Sequence, residues 1–332
     1  MGGRNQLFTL LLSLVAALCA ACGDEGANSI DASAGDAGTD TDTDAGSDTD
    51  TDADTDTDSD SDASTDTDTD TNSDAGPTMT PADYDYPTPL TWAQIDGGTY
   101  LQGSESSASP ADYSETPQHS VKLHTFQMMT TEVTTSQYAQ CVLASVCAEP
   151  LVAYGDGSAE NCNWLVWGRE HHPVNCVYIW EAEQYCAWIG ARLPSESEWE
   201  YAARSRGEDN EYPWGDEAPT CDLAVMRSVD EGGGCGLGHT WPVCSKPLGN
   251  TEQGLCDMAG NVQEWMPDCW YGDYYGAPND GSVWAIGSCE DQVLKGGEYN
   301  NTNIGFRTRG RDYSLSSGRS DYFGFRCVKN TE

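Results

Sequence analysis

Apolar residues recur with helical spacing in one stretch near the middle of the chain. Ala182, Tyr185, Cys186 and Ile189 follow the period of about 3.6 residues that places side chains on one face of a helix. Gly190 comes directly afterwards, where a helix commonly ends on a left-handed residue. The pattern predicts a helix that ends before Gly190 and turns this face to the core.

A second helix is predicted a few residues later. The Ser195 hydroxyl can accept a hydrogen bond from the first turn, and Glu198, three residues on, completes a capping box. Trp199, Ala202 and Ala203 then form the apolar face. Because cap and periodicity agree, we expect this helix to begin directly after Ser195.

The remaining pattern is short and irregular. It predicts one weaker helix at Thr135–Val142 and short strands at Gly98–Gln102, Ser120–His124 and Gly324–Val328. Glycine, tryptophan and tyrosine are abundant. We therefore expect an α+β domain with much irregular structure.

The first residues have the pattern of an export signal. An apolar run covers Leu7–Leu18, which is shorter than the roughly 20 residues that span a bilayer. The sequence CAAC at Cys19–Cys22 resembles a bacterial lipoprotein cleavage box. We interpret residues 1–22 as a signal peptide and Cys22 as the lipidated residue of a protein in the bacterial cell envelope or on the cell surface. The alternative is ordinary cleavage near Ala20, which would release a secreted protein.

Residues 23–89 are predicted to be a disordered tether. Asp alternates there with Thr, Ser, Ala and Gly, and 21 of the 55 acidic residues lie between Asp24 and Asp85. A segment this polar cannot bury enough apolar surface to offset the entropy lost on ordering. The folding part, residues 90–332, still carries 34 acidic and 14 basic side chains, a net charge of −20. We therefore expect no nucleic-acid partner.

Twelve cysteines follow the signal region. An even number in an exported chain indicates disulfides, and these twelve include no CxxC pair with zinc-ligand spacing. Connectivity does not follow from sequence. Cys221–Cys235 and Cys269–Cys289 are candidates for local disulfide loops.

The segment Gly254–Trp265 reads GLCDMAGNVQEW. Asp257 and Glu264 place two carboxylates around Gly260 and Asn261, where the backbone can turn and direct its carbonyls inward. Carboxylates and main-chain carbonyls form an oxygen-only cage, which suits Ca²⁺. The alternative is a simple turn closed by a carboxylate. The candidate calcium ligands are Asp257, Gly260, Val262 and Glu264.

This segment resembles the D-M-x-G-N-V-x-E-W signature of the formylglycine-generating enzyme (sulfatase-modifying factor) family. Seven further blocks follow the order of that family. They are IDGGTYLQGS (95–104), TEVTTSQY (131–138), HPVNCV (172–177), RLPSESEWEYAAR (192–204), YPWGDE (212–217), KGGEY (295–299) and GFRC (324–327). The resemblance covers about Thr91 to Lys329. It implies a compact, calcium-stabilised and disulfide-rich fold distantly similar to C-type lectins, with a disulfide between Cys186 and Cys327.

The resemblance also implies where the chemistry of the family would lie. Formylglycine-generating enzymes bind copper(I) through two cysteines shortly after the Gly-Gly strand and oxidise a sulfatase cysteine. In this sequence Asn301 and Phe306 stand at those two positions, Glu298 replaces a serine and Gln263 replaces a tryptophan. Copper(I) requires soft thiolate ligands. We therefore expect no bound copper, no catalytic residues and no formylglycine-generating activity.

Binding remains as the expected role of this region. Arg307 and Arg309, with Glu298 and Asn301, would line a ligand groove that receives a peptide or protein carboxylate or an acidic glycan. Three further arginines, Arg311, Arg319 and Arg326, lie close by in the sequence. The alternative is that these arginines neutralise a very acidic domain through structural ion pairs.

The sequence thus favours an exported, lipid-anchored protein that uses this domain to bind a ligand or partner, with a membrane contact through the lipid. A first alternative is a divergent oxidoreductase or protein-modifying enzyme that uses another cofactor. A second is a structural surface protein in which the acidic segment matters more than the domain.

Overall fold

The computed structural model describes residues 78–84, 89–105, 110–152 and 161–331. The three predicted helices are present: α1 at Thr135–Leu143, α2 at Ile179–Trp188 and α3 at Glu196–Ala203. Among the described residues, no helix combines the length and apolar character needed to cross a membrane.

Capping residues fix where these helices begin. The Ser195 hydroxyl accepts from the Glu198 N–H at 3.2 Å, and Ser195 N–H donates to the Glu198 carboxylate at 2.9 Å. Thr134 forms the same reciprocal pair with Gln137 at the start of α1. The capping box predicted at Ser195 is confirmed, and α2 ends before Gly190, whose φ is 72°.

Short strands form three sheets, all antiparallel except for one pair. The first has the order β1-β4-β9 and the second pairs β2 with β3. The third has the order β7-β6-β5-β8, with β8 parallel to β5. The strands are β1 Trp92–Ile95, β2 Thr99–Gln102, β3 His119–Lys122, β4 Phe126–Met129, β5 Gln263–Cys269, β6 Asp291–Lys295, β7 Asp312–Leu315, β8 Phe323–Gly324 and β9 Val328–Asn330.

The continuous strand predicted at Gly324–Val328 is wrong. β8 ends at Gly324 and β9 begins at Val328, because the segment between them crosses from one sheet to another. Phe325, Arg326 and Cys327 are all fully buried. Successive residues of a strand point to opposite faces, so a strand at the surface of a sheet would not bury all three.

Six disulfides join all twelve cysteines of the described residues. The pair Cys186–Cys327, which the family resemblance implied, links α2 to the segment before β9. The predicted local loops Cys221–Cys235 and Cys269–Cys289 are also present. Three further bonds were not predicted: Cys141–Cys147, Cys162–Cys176 and Cys244–Cys256.

The folded part begins earlier than the sequence predicts. Met79 and Tyr84 fall within the predicted tether 23–89, yet they are 3% and 5% exposed and belong to the main apolar cluster. The Tyr84 ring lies 5.4 Å from that of Trp164, and its hydroxyl accepts from Leu165 N–H at 2.6 Å. Two apolar side chains in a polar stretch are enough to attach it to the core. The predicted signal peptide, with Cys22, lies outside the described residues.

Candidate functional site

The candidate site lies in the turn that follows β6. Gly296 and Gly297 have φ values of 95° and 69°, a conformation that favours glycine. A Cβ at position 297 would also lie 2.7 Å from the Gly305 carbonyl oxygen. The two glycines therefore fold the loop of residues 298–306 back on itself and bring Asn301 close to Gly305.

Asn301, at the first expected cysteine position, is hydrogen-bonded within this loop. Its side-chain amide donates to Glu298 Oε1 at 2.6 Å, and its carbonyl accepts from Arg227 N–H at 2.8 Å. The other carboxylate oxygen of Glu298 accepts from Asn300 N–H at 2.5 Å. Burial raises the pKa of Glu298 to about 7, although these hydrogen bonds oppose the shift. The pair thus organises the loop around a carboxyl group that titrates near neutral pH.

Phe306, at the second expected cysteine position, belongs to the core. Its side chain is fully buried and packs in a small cluster with Met226 and Ala259. The rings of Tyr212 and Trp214 border the same cluster. An amide and a phenyl ring offer no thiolate, and every cysteine of the described residues is in a disulfide. The residues at this site therefore do not fit copper(I).

Two cavities flank the loop and share Arg307. The smaller, of about 110 Å³, is lined by Asn301 and by Gln263, whose amide donates to the Asp312 carboxylate at 2.9 Å. The larger has a volume of about 580 Å³. It is lined by Leu101, Ser104, Glu105, Gln118, Arg204, Gly207, Asp209, Glu211, Arg307 and Arg309.

The structure thus brings three of the four predicted groove residues to these cavities. Arg307 and Arg309 line the larger one, and Asn301 lines the smaller one. Glu298 lines neither cavity, but it accepts a hydrogen bond from Asn301, which lines the smaller one. Arg204 also lines the larger cavity and was missed. It lies in the quoted block RLPSESEWEYAAR, but the helical pattern there did not indicate that its side chain would point toward the cavity.

The groove arginines pair with acidic residues. Arg307 bonds to Glu115 and lies 2.7 Å from Glu211, measured from Nε to Oε1. Arg309 bonds to Asp209 and lies 3.4 Å from the second carboxylate oxygen of Glu211. These contacts agree with the alternative interpretation that the arginines form structural ion pairs. The partners differ in exposure, however, because the side chains of Asp209 and Glu211 are 91% and 39% exposed, whereas Glu115 is buried.

Of the other three arginines, Arg311 lines the smaller cavity, and Arg319 and Arg326 line neither. Arg311 bonds to Glu196 at 2.6 Å, with its own side chain fully buried. Arg326 contacts Glu264, and Arg319 stacks over the Tyr178 ring at 4.6 Å. None of them lines the larger cavity.

The candidate calcium loop turns at Gly260 and Asn261, where the sequence analysis expected a turn. Asp257, Gly260 and Asn261 have φ values of 54°, 86° and 64°. A Cβ at position 260 would lie 2.4 Å from the Val225 carbonyl oxygen, so only glycine fits there. Asp257 Oδ2 accepts from Cys244 N–H at 2.6 Å, and Val262 directly precedes β5. Glu264, in β5, accepts from Arg326 at 2.7 Å and, together with the turn, fixes this loop.

A buried carboxylate that the sequence analysis missed lies beside this loop. Glu132 accepts from the Asn261 side chain at 2.9 Å and from Val262 N–H at 3.3 Å. Burial, then the neighbouring Asp257, raises its pKa well above the ordinary value, and burial also raises the pKa of Asp257 to about 6. Glu132 lies in the quoted block TEVTTSQY, more than a hundred residues before the loop, so spacing gave no signal.

Excess negative charge in an oxygen-rich site is chemically suited to a hard cation. Glu132, Asp257 and Glu264 are all buried. Arg326 lowers the pKa values of the first two, and Lys246 also lowers that of Asp257. Within the described residues, however, no three histidine, cysteine or carboxylate side chains are grouped to hold a metal. A bound Ca²⁺ would therefore need the main-chain oxygens of Gly260 and Val262. The calcium assignment stays a prediction.

Comparison with known proteins assigns the family. The model of the sulfatase-modifying factor enzyme 1-like domain matches residues 86–331, and the chain belongs to this family. The formylglycine-generating enzyme of Streptomyces coelicolor is 31% identical over 286 residues, which cover 72% of this chain and 89% of that protein. The predicted α+β, formylglycine-generating-enzyme-like fold is thereby confirmed.

Two further similarities widen the range of relatives. The structure of PvdO from Pseudomonas aeruginosa matches with a TM-score of 0.62 and 26% identity, covering 74% of this chain and 99% of that one. Hercynine oxygenase of Mycolicibacterium thermoresistibile is 45% identical over 96 residues, 28% of this chain and 20% of that protein. Similar proteins thus carry the names of different activities, so the function of this chain has to be argued from the residues of its own site.

Proposed function

We propose that this protein is an exported, lipid-anchored member of the family that binds a ligand or partner and does not generate formylglycine. One observation carries the proposal: Asn301 bonds to Glu298 and Phe306 is buried in the core, at the two positions where the family resemblance implies copper-binding thiols. Neither side chain can supply a soft anionic ligand to copper(I). The larger cavity, lined by Arg307 and Arg309, supports a binding role.

Export and anchoring are supported by the cysteines and by the start of the sequence. Six disulfides in the described residues are typical of a protein that folds in an oxidising compartment. The apolar run Leu7–Leu18 and the CAAC box provide the signal, with lipid on Cys22. The acidic segment 23–77 would then separate the domain from the bacterial envelope.

Structural calcium is the second part of the proposal. Asp257, Glu264 and the main-chain oxygens of Gly260 and Val262 would hold the ion, which would neutralise the carboxylate charge that Arg326 leaves uncompensated. The ion would have a structural role because its ligands lie in a buried turn. Stability measured with calcium and with chelator tests this assignment.

A copper and oxygen assay tests the absence of formylglycine chemistry. The full chain is titrated against a copper(I)-chelate indicator and incubated with a sulfatase-derived cysteine peptide while oxygen uptake is followed. We expect no copper(I) transfer from the chelate, no oxygen uptake and no aldehyde on the peptide, because no thiolate is available. The Streptomyces coelicolor relative is the positive control. An aldehyde product would refute the proposal.

One observation favours a second candidate, a divergent oxidoreductase or protein-modifying enzyme with another cofactor. The Glu298 carboxyl, with its pKa raised to about 7, is suited to exchange a proton near neutral pH. It lies one hydrogen bond away from the smaller cavity. Oxygen uptake that disappears in Glu298→Gln would favour this candidate over the binding function.

A further inference from the structure

The larger cavity holds an exposed carboxylate between two buried guanidiniums. The Asp209 side chain is 91% exposed, yet it bonds to Arg309 Nη2 and lies 3.6 Å from Arg204 Nη2. The side chains of Arg309 and Arg204 are only 10% and 3% exposed. Two cations from different parts of the chain therefore converge on one anion that stands almost entirely in water.

The rest of the protein fixes Arg204 in this position. Its Nε donates to the Glu208 carbonyl at 2.8 Å, and its Nη1 donates to the Leu101 carbonyl at 2.7 Å and to Glu200 at 3.0 Å. The Nη2 group is the one directed at Asp209. Arg204 thus presents a guanidinium edge to the cavity without any rearrangement.

Asp209 is the exchangeable member of this group. A carboxylate in water contributes little through an ion pair, since solvent and salt stabilise it almost as well as the guanidinium does. The two arginines cannot follow it into water, because their side chains are enclosed. When Asp209 moves away, Arg204 keeps Glu200 and Arg309 keeps Glu211, but the two Nη2 groups that faced Asp209 are left to another anion.

We propose that the C-terminal carboxylate of a peptide or protein binds between Arg204 and Arg309 and displaces Asp209. This inference rests on the proposed binding function and names its ligand class. Guanidinium groups match a carboxylate in charge and geometry. The cavity of about 580 Å³ has room for a few residues beyond the carboxylate, beside Leu101, Ser104 and Gln118.

The charge of the protein favours a peptide end over an acidic polysaccharide. Residues 90–332 carry a net charge of −20, and Glu105 and Glu211 also line the cavity. A polyanion would be repelled along its whole length, whereas a neutral or basic peptide brings one negative charge to the two arginines. The ligand therefore carries its carboxylate at the end of an otherwise uncharged or basic segment.

Calorimetric titration of the full chain with N-acetyl-trialanine, as the free acid and as the amide, tests this site. We expect the acid to bind about tenfold more tightly or better, because it alone makes charge-assisted hydrogen bonds to the arginines. Asp209→Asn removes the competing charge and should raise the affinity for the acid about two- to fivefold. Asp230→Asn, at another exposed aspartate, should leave the affinity unchanged.

A loss-of-binding variant completes the test. Arg309→Gln should lower the affinity for the acid to that of the amide, while Arg319→Gln, outside the cavity, should not change it. Circular dichroism verifies that the variants are folded. If Arg309→Gln does not fold, Asp209→Asn decides the result alone, since its side chain is in water.

Three results would overturn the carboxylate site: equal affinity of acid and amide, no binding of either, or no effect of Asp209→Asn. Tighter binding of polygalacturonate than of the tripeptide acid would overturn the peptide assignment. None of these results bears on copper(I) capture or oxygen uptake. The non-catalytic function and the carboxylate site can therefore fail separately.

Discussion

Two arginine–carboxylate pairs in this domain have the same chemistry but opposite surroundings. In the core ion pair, Arg326 and Glu264 are both fully buried and bond at 2.7 Å. In the groove ion pair, Arg309 is largely buried while its partner Asp209 is 91% exposed. From this comparison we infer that burial of both partners makes a pair structural, whereas exposure of one partner allows exchange.

The other contacts of the two arginines agree with this division. Arg326 also donates to the carbonyl of Cys256 at 2.8 Å and to that of Met129 at 3.3 Å, so it joins β4, β5 and the candidate calcium loop. Among the described residues, the charged side chains that Arg309 contacts are the nearby Asp209 and Glu211 only. The core ion pair therefore connects distant parts of the fold, and the groove ion pair borders a cavity.

Removing the core arginine should have the largest effect. Arg326→Met leaves Glu264 buried without its cation, and we expect a loss of about 3–5 kcal/mol in the free energy of unfolding. Urea denaturation measures it. The double variant with Glu264→Gln should recover part of the loss, since it also removes the stranded charge. A loss as small as that of a surface pair would mean that burial does not distinguish the two pairs.

A smaller effect is expected at Asp257, next to the core ion pair. Burial raises its pKa to about 6 from an ordinary value of 3.8, so the folded state holds this proton more tightly than the unfolded state. With chelator present, the wild type should therefore lose stability relative to Asp257→Asn as the pH rises from about 4 to about 6, by about 1–3 kcal/mol.

At neutral pH, calcium should make the wild type more stable than Asp257→Asn. The ion would stabilise the ionised carboxylate, so that the wild type becomes the more stable protein above pH 6. Urea denaturation at pH 4.5 and pH 7, in calcium and in chelator, gives the four comparisons. Identical curves with and without calcium would reduce Asp257 to a turn residue that accepts the hydrogen bond from Cys244.

The groove ion pair should give the smallest effect on stability. Arg309→Gln breaks a contact whose acidic partner is solvated, and we expect a loss below about 1 kcal/mol. Thermal or urea unfolding measures it, with Arg319→Gln as a matched surface control. A loss near that of Arg326→Met would make Arg309 a structural residue and remove the basis for an exchangeable carboxylate.

The sequence predicted what depends on local patterns. Ser195 and Glu198 marked the start of α3 because capping requires only residues three apart. The family blocks predicted the fold and the Cys186–Cys327 bond, and the two residues in place of cysteine, Asn301 and Phe306, could be assigned before any coordinates. These features depend on short spacing or on a recognised motif.

What the sequence missed depends on contacts between distant segments. Glu132 contacts the candidate calcium loop from a block more than a hundred residues away. Arg204 turns its Nη2 toward the groove because three carbonyl or carboxylate oxygens hold the rest of its guanidinium. The segment Phe325–Cys327 was predicted to continue a strand, but its crossing between two sheets decides its conformation. Sequence periodicity carries none of this information.

The disulfide between Cys186 and Cys327 joins residues that are 141 positions apart in the sequence, a span of more than half of the described residues. A protease that cuts once inside that span leaves two pieces still covalently attached, and the pieces come apart only under reducing conditions. A single cut in this span would therefore not separate the chain, and gel mobility without reductant would fail to reveal it.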